Sequence, residues 1–321
     1  MNTTESKYVD KKSYLSRYAH ERGVALRESD ARLAAEFGDE ERCRRYIKEE
    51  LTRFVPFLIR KCGLEFRGRV LEIGAGSAWL SAEISKLPGV VEVVATDFSP
   101  KLLKEQAPKV FKWLNASSGK ITRMPADFHK LDFPDNYFDA VVCSTVLHHA
   151  SNIVQVLREA KRVLKPGGKL VAIREPVWPL MKLKSRARML QKLMTTGVDE
   201  RFYTVSDYKE FFRQAALPLE VKRVSLSRGF KYYVDKLVNG LTHARYAFIG
   251  TKRGKETRPR GRRVHLCAGA SSRYKPGRLL RMTKTREQAA REVELFNARE
   301  LLSPPFLLMA RVDHQQAVCP G

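Results

Sequence analysis

Short apolar runs bounded by glycine alternate along this chain with stretches in which apolar residues recur every three or four positions. The first pattern predicts buried strands and the second amphipathic helices, so the order reads as repeated βα units on a largely parallel sheet. Residues 70–73 form the first strand, bracketed by Gly68 and Gly74, and a helix from Ser77 follows with Leu80, Ile84 and Leu87 on one face. The second strand, 90–97, starts after Gly89, and Ser99 and Pro100 cap and open the next helix. Residues 121–124 and 140–143 supply the third and fourth strands. A helix capped by Ser151 buries Ile153, Val156, Leu157, Ala160 and Leu164, and Lys165-Pro166-Gly167-Gly168 stops it before a fifth strand at 169–173. After a helix at 205–215, the segments 219–226 and 246–252 alternate like an antiparallel pair.

Either side of this α/β core the pattern changes. Residues 1–28 are polar and read as a loose arm or short helix. From Ser29 or Asp30, the positions Leu33, Phe37, Tyr46, Ile47, Leu51, Phe54 and Leu58 give helical stripes, with a break at Gly38 and a kink at Pro56. This helical N-terminal extension, 1–61, is expected to pack on the edge of the core or to cover a pocket. Residues 174–203 interleave basic residues with Leu and Met and read as a helix or helical pair. Beyond 254 the sequence is Arg-rich and punctuated by Gly and Pro, which predicts a flexible tail over 254–321.

Charge adds less than its size suggests. The net charge is +25 over 321 residues, from 60 basic and 35 acidic side chains. Between Lys252 and Arg286 stand 13 Lys or Arg against the single acid Glu256, so nearly half of the surplus lies in about a tenth of the chain, at the end of the α/β core and beyond it. Nucleic acid binding is therefore expected of the tail, if of any part. Five scattered cysteines without a C-x-x-C pair suit a reducing compartment and offer no disulfide or zinc framework. No run of about 18 apolar residues is present, and the N-terminus lacks a signal-peptide layout. A cytoplasmic protein without a resident metal is expected.

The chemistry is concentrated where the first strand ends. Glu72-Ile73-Gly74-Ala75-Gly76 joins an acid to a glycine turn that opens a helix, a place suited to polar or anionic ligand groups. Trp79 occupies the third position of a dinucleotide fingerprint and argues against NAD. An acid at Asp97, about 20 residues past the turn, suits a pair of ribose hydroxyls.

E-x-G-x-G at a strand end resembles motif I of the class I S-adenosylmethionine-dependent methyltransferases. Asp127-Phe128 after the third strand, the run from Leu131 to Asp139 (L-x-F-P-D-x-x-F-D) and Arg162 to Ile173 (R-x-L-K-P-G-G-x-L-x-I) match further family motifs. The resemblance covers residues 62–253 and implies a Rossmann-like seven-stranded sheet of order 3-2-1-4-5-7-6, with the seventh strand antiparallel and helices on both faces. It implies that Glu72, Gly74, Ala75 and Gly76 face the methionine half of S-adenosylmethionine, and that Asp97, with Phe98 beside it, meets the ribose. Asp127 would meet the adenine amino group, Phe128 its ring, and Ser144 would line the site at the end of the fourth strand.

In-line transfer of a methyl group from a sulfonium needs mainly positioning and exclusion of water, with a base only where the acceptor must lose a proton. His148 and His149 are the best-placed bases and Glu175 a further candidate. The stretch Ser144-Thr145-Val146-Leu147 lacks the proline–aromatic signature of enzymes that methylate exocyclic base nitrogens, and Cys143 lacks the proline context of a cytosine-methylating nucleophile. The form of the Leu131–Asp139 run resembles that of metabolite and quinone methyltransferases, so a small-molecule or lipid-like acceptor is expected. The alternatives are a nucleic-acid methyltransferase, or a non-catalytic cofactor- or RNA-binding protein that uses the basic tail.

Overall fold

The computed structural model describes residues 5–10, 27–28, 30–177, 203–227, 234 and 245–254. The basic insertion expected over 174–203 falls largely outside these residues, and so does the tail beyond 254.

Eight strands form one sheet, β1 (Lys7–Tyr8), β2 (Gly68–Ile73), β3 (Val90–Asp97), β4 (Ile121–Pro125), β5 (Phe138–Ser144), β6 (Leu164–Ile173), β7 (Leu219–Val224) and β8 (Arg245–Thr251), in the order β1-β4-β3-β2-β5-β6-β8-β7. The seven expected core strands are β2 to β8 in the expected order, and β8 runs antiparallel to both β6 and β7. The expected count of seven is corrected to eight among the described residues. Two residues of the N-terminal arm pair in parallel with Thr122 and Arg123 at the free edge of β4. Buried Arg123 anchors this short strand by donating to Ser6 O at 3.1 Å and lying 5.8 Å from the Tyr8 ring centroid.

The strand sequences alternate between two apolar layers. Val70, Val93, Ala95, Ala140 and Val142 meet Ile47, Phe54, Leu58, Trp79, Leu80, Ile84, Val110 and Phe111 on one face. Leu71, Ile73, Val94, Val141 and Cys143 meet Ile153, Val156, Leu157, Ala160, Tyr208 and Phe212 on the other. Helices α3 (Phe54–Cys62), α4 (Trp79–Ser85) and α5 (Ala107–Leu114) therefore cover the first face, and α6 (Ile153–Val163) and α7 (Val205–Gln214) the second.

From Asp30 the N-terminal extension is helical, as α1 (Asp30–Phe37), α2 (Glu40–Tyr46), a π-helical turn (Ile47–Leu51) and α3. The break at Gly38 stands, since Asp39 caps α2 by accepting from Arg42 N at 2.9 Å. The kink moves from Pro56 to Thr52 and Arg53. Pro56 sits in the first turn of α3, where a missing N–H removes no helical bond. The cap of α6 also shifts by one residue: Asn152 accepts from Gln155 N, while Ser151 bonds elsewhere.

The two long motifs turn out to be one latch. Arg162, near the end of α6, donates to Leu131 O at 2.6 Å, Phe133 O at 2.7 Å and Asp135 Oδ1 at 2.8 Å. Asn136 N and Tyr137 N donate back to Arg162 O and Val163 O. The L-x-F-P-D loop is thus held to the helix that the R-x-L-K-P-G-G motif terminates. Among the described residues no helix is long and apolar enough to cross a membrane.

Candidate active site

The sequence-predicted residues lie in a row along the carboxyl ends of β4, β3, β2, β5 and β6, where open α/β sheets place their ligands. Register brings them level, with Ile73 opposite Thr96, Asp97 opposite Pro125 and Ser144 opposite Ile173.

The glycine turn at the centre has two different glycines. Gly74 has φ +62°, and a Cβ there would meet the Val146 side chain at 2.6 Å, so packing against the β5 end requires it. Gly76 has φ +54°, and the nearest atom to an added Cβ is Arg27 Nη2 at 3.6 Å. Room for a ligand to approach the main chain therefore lies at Gly76. Ala75, buried between them, donates from N to Thr96 O at 2.8 Å.

Both acids beside the turn hold the turn itself. Helix α4 starts from Ala78, which is left-handed and offers no side-chain cap. Glu72 Oε2 takes that role from the strand, accepting from Ser81 N at 2.8 Å and from Ser81 Oγ. Asp97 Oδ2 accepts from Gly76 N at 2.7 Å and its Oδ1 from Ser99 N at 2.9 Å. Both carboxyls are buried. Burial pushes Glu72 up to about 8 against the lowering effect of the Ser81 bonds, with the nearby Asp97 charge adding to the rise. Burial also raises Asp97, offset in part by the Arg27 charge and the Ser99 and Gly76 N–H groups. The N-terminal extension reaches this point: Glu28 Oε1 accepts from Ser99 Oγ at 2.7 Å and Lys101 N at 2.9 Å, and Arg27 pairs with Glu36 at 2.7 Å. Phe98, next to Asp97, is half-buried.

At the end of β4, buried Asp127 Oδ1 lies 2.9 Å from His129 Nδ1. Asn152 N donates to His129 Nε2 at 3.4 Å, and Ser151 Oγ lies 3.0 Å from the same nitrogen. That donation leaves Nδ1 as the nitrogen that carries hydrogen toward Asp127. The half-buried Phe128 ring lies 4.8 Å from His129, centroid to centroid. Sequence reasoning stopped at Asp127-Phe128 and missed His129. The available signal was an acid and a histidine two positions apart at a strand end.

At the β5 and β6 ends Glu175 is the hub. It accepts from Val146 N at 2.8 Å, Leu147 N at 3.1 Å and Tyr208 Oη at 3.3 Å, and His148 Nδ1 lies 3.0 Å away. Burial works to raise its pKa, but the His148 hydrogen bond and charge and the two N–H groups win and hold it below the ordinary value. His148 is itself buried, and the half-buried His149 ring lies tilted against it, 3.9 Å between centroids. Glu175 and His148 together pin the turn at 146–149, and His149 is the more exposed imidazole. Ser144 Oγ accepts from Arg174 Nη1 at 3.3 Å.

Comparison with known proteins bears on the domain and on the fold. Residues 71–172 match the model of a methyltransferase domain. The ubiquinone/menaquinone biosynthesis C-methyltransferase UbiE of Pseudomonas putida (strain GB-1) is 37% identical over 132 residues, which cover 41% of this chain and 50% of the relative. UbiE of Pseudomonas aeruginosa (strain LESB58) is 36% identical over 118 residues, 36% of this chain and 45% of the relative. The chain thus spans about half the length of the curated relatives it matches. Among solved structures, Haemonchus contortus phosphoethanolamine N-methyltransferase 2 in complex with S-adenosyl-L-methionine superposes with a TM-score of 0.53 at 16% identity, covering 75% of this chain and 62% of that one. A chain from the complex between the Haloferax volcanii Trm112 methyltransferase activator and a methyltransferase also gives 0.53, at 18% identity, covering 71% and 98%. At these identities the superpositions speak for the fold alone. What the sequence matches show is a methyltransferase domain over residues 71–172, similar to that of S-adenosylmethionine-dependent methyltransferases.

Proposed function

We propose that this chain transfers a methyl group from S-adenosylmethionine to a small-molecule or lipid-like acceptor bound beside the β5 and β6 ends. The observation that carries it is the bond from Gly76 N to Asp97 Oδ2 at 2.7 Å, which joins the open glycine and the second-strand acid into one surface. Asp127 and Phe128 continue that surface toward β4, and the donor set of acids, backbone N–H groups and an aromatic ring fits a nucleoside carrying an amino acid. The cofactor supplies an electrophilic methyl on sulfur. In this reading Asp97 and Phe98 hold the ribose, Asp127 and Phe128 the adenine, and the turn Glu72 to Gly76 the methionine end.

On the acceptor side His149 is the group with access to a proton, while Glu175 and His148 keep the turn beneath it rigid. The quinone-pathway role in the relatives' names supports a planar small-molecule acceptor. No observation favours a nucleic-acid acceptor, and the residues on which that alternative rested lie in the tail. The test is calorimetry with S-adenosylmethionine, S-adenosylhomocysteine and NAD, followed by methyl-labelled cofactor with a panel of hydroxylated and quinone acceptors. Binding of the first two ligands and label in a small molecule are expected. Binding of NAD without the other two refutes the cofactor assignment, and label only in RNA or DNA refutes the acceptor class.

A further inference from the structure

Two neighbouring strands end in non-glycine residues with left-handed backbone, Thr145 at φ +61° after β5 and Arg174 at φ +60° after β6. Each is locked to the other strand: Thr145 N donates to Ile173 O at 3.0 Å, and its Oγ1 lies 3.5 Å from Arg174 O. Such strain persists where the surroundings impose it, and it concentrates at ligand sites. Here its effect is to turn the Arg174 guanidinium along the carboxyl edge of the sheet, toward Ser144 and toward Tyr46 at the end of α2. Nη1 donates to Ser144 Oγ at 3.3 Å and Nη2 to Tyr46 Oη at 3.0 Å. Both partners are neutral hydroxyls, and among the described residues no carboxylate lies within ion-pairing distance of the guanidinium.

Arg123, buried where Arg174 is half-buried, shows what a purely structural cation looks like in this fold. Arg123, at the β4 edge, donates to the carbonyls of Leu103 and Ser6 and is flanked by the Tyr8 and Phe111 rings. Among the described residues Arg174 donates to no carbonyl and lies over no ring face, and it sits in the row of strand ends. Its burial acts against the charge and Arg245, the first residue of β8, adds a second positive charge nearby, while Tyr46 and the neighbouring Glu175 carboxylate offset these only in part. A guanidinium presents a planar fork of donors suited to two oxygens in one plane.

We infer that Arg174, braced by Ser144 and Tyr46, recognises an anionic oxygen on the acceptor, a phenolate or enolate conjugated with a flat ring. The inference rests on the methyltransferase reading and narrows its acceptor class. A ring oxyanion held there is the group that makes a neighbouring ring carbon or the oxygen itself nucleophilic. The cation keeps the acceptor ionised, so the imidazole of His149 is not required to remove that proton. Tyr46 brings the N-terminal extension into the acceptor side of the site.

The experiment measures binding of two probes to the full chain saturated with S-adenosylhomocysteine. One is lawsone, a hydroxynaphthoquinone ionised at neutral pH, and the other is its neutral O-methyl ether. The wild-type protein is expected to bind lawsone about tenfold or more tightly than the ether, as one charge-assisted contact supplies. Arg174→Gln and Arg174→Gly are expected to bring the two probes within about twofold of each other. Glycine also relieves the left-handed backbone, so that variant stays folded where another substitution fails to. S-adenosylhomocysteine affinity should not change in either. A preference for lawsone that survives both substitutions overturns the inference, and so does a wild-type protein that does not distinguish the probes. Loss of S-adenosylhomocysteine binding by the wild-type protein would instead refute the cofactor reading beneath it.

Discussion

Replacing Glu72 by glutamine should make the protein more stable at neutral pH and remove much of its sensitivity to alkali. Glu72 is 1% exposed, and its carboxyl is displaced by burial from an ordinary 4.5 to about 8. Between those values the unfolded chain has released a proton that the folded protein keeps. Stability therefore falls as pH rises through this window and levels off above about 8. At 1.36 kcal/mol for each tenfold change the whole displacement is on the order of 4–5 kcal/mol, and the part between pH 5.5 and 8 is about 3 kcal/mol. Glutamine copies the protonated acid: one oxygen still accepts from Ser81 N and Oγ, and an amide replaces the O–H. The assay is urea unfolding of both proteins at half-unit steps from pH 5 to 9, read as the difference between them so that other titrating groups cancel. A difference that grows with pH by about 3 kcal/mol is expected. Parallel profiles would refute the reasoning and mean that Glu72 is ionised in the folded protein.

Asp97→Ala should lower S-adenosylmethionine affinity by about tenfold or more in calorimetry, one charged hydrogen bond being on the order of 1.5–3 kcal/mol. The same variant should also melt earlier, because Gly76 N and Ser99 N lose their acceptor; unchanged values of both would make Asp97 a bystander. Arg162→Met should destabilise the fold by about 2 kcal/mol in urea titration, since it frees the Leu131 and Phe133 carbonyls while keeping the aliphatic stem, and an effect below about 0.5 kcal/mol would remove the latch. Truncation after Gly254 should leave cofactor affinity unchanged and abolish any salt-sensitive RNA or DNA binding. The cut spares Lys252, whose Nζ donates to Leu164 O at 2.6 Å, and selective, salt-resistant nucleic-acid binding by the truncated protein would refute that assignment.

The core strands were legible because each is a short apolar run stopped by glycine or an acid, and burial on both faces leaves such a run few other conformations. Their order came from the motifs rather than from periodicity. Missing from the sequence reading were features that depend on partners far along the chain. The two residues of β1 carry no strand signal, and their pairing rests on Arg123, 117 residues beyond Ser6. Proline breaks helices in general, which predicts a kink at Pro56, yet the break falls at Thr52 and Arg53 and turns Pro56 into a first-turn residue. The motif proposes Glu72 and Asp97 as site residues, but the task that each performs in the fold is invisible in it. Nothing in E-x-G-x-G says that the acid also caps the following helix, because that depends on the absence of a capping side chain at Ala78. Arg174 had no signal at all, since a left-handed φ at a non-glycine residue is set by the two strands it joins.

The same comparison explains why net charge was a poor guide to function. Several basic side chains of the α/β domain are structural donors to its own backbone. Arg162 serves the Leu131 and Phe133 carbonyls, Lys252 the Leu164 carbonyl, Arg123 the Leu103 and Ser6 carbonyls, and Lys161 the Ala216 carbonyl at 2.8 Å. Such residues count toward +25 without offering a free phosphate-binding surface, because their donors are committed to carbonyl oxygens. What separates a functional cation from these is the chemistry of its partners and its place on the sheet. Arg174 meets only hydroxyls among the described residues and stands at a strand end in the candidate site. A sum over the composition gives it the same weight as every lysine of the tail, whereas the geometry singles it out.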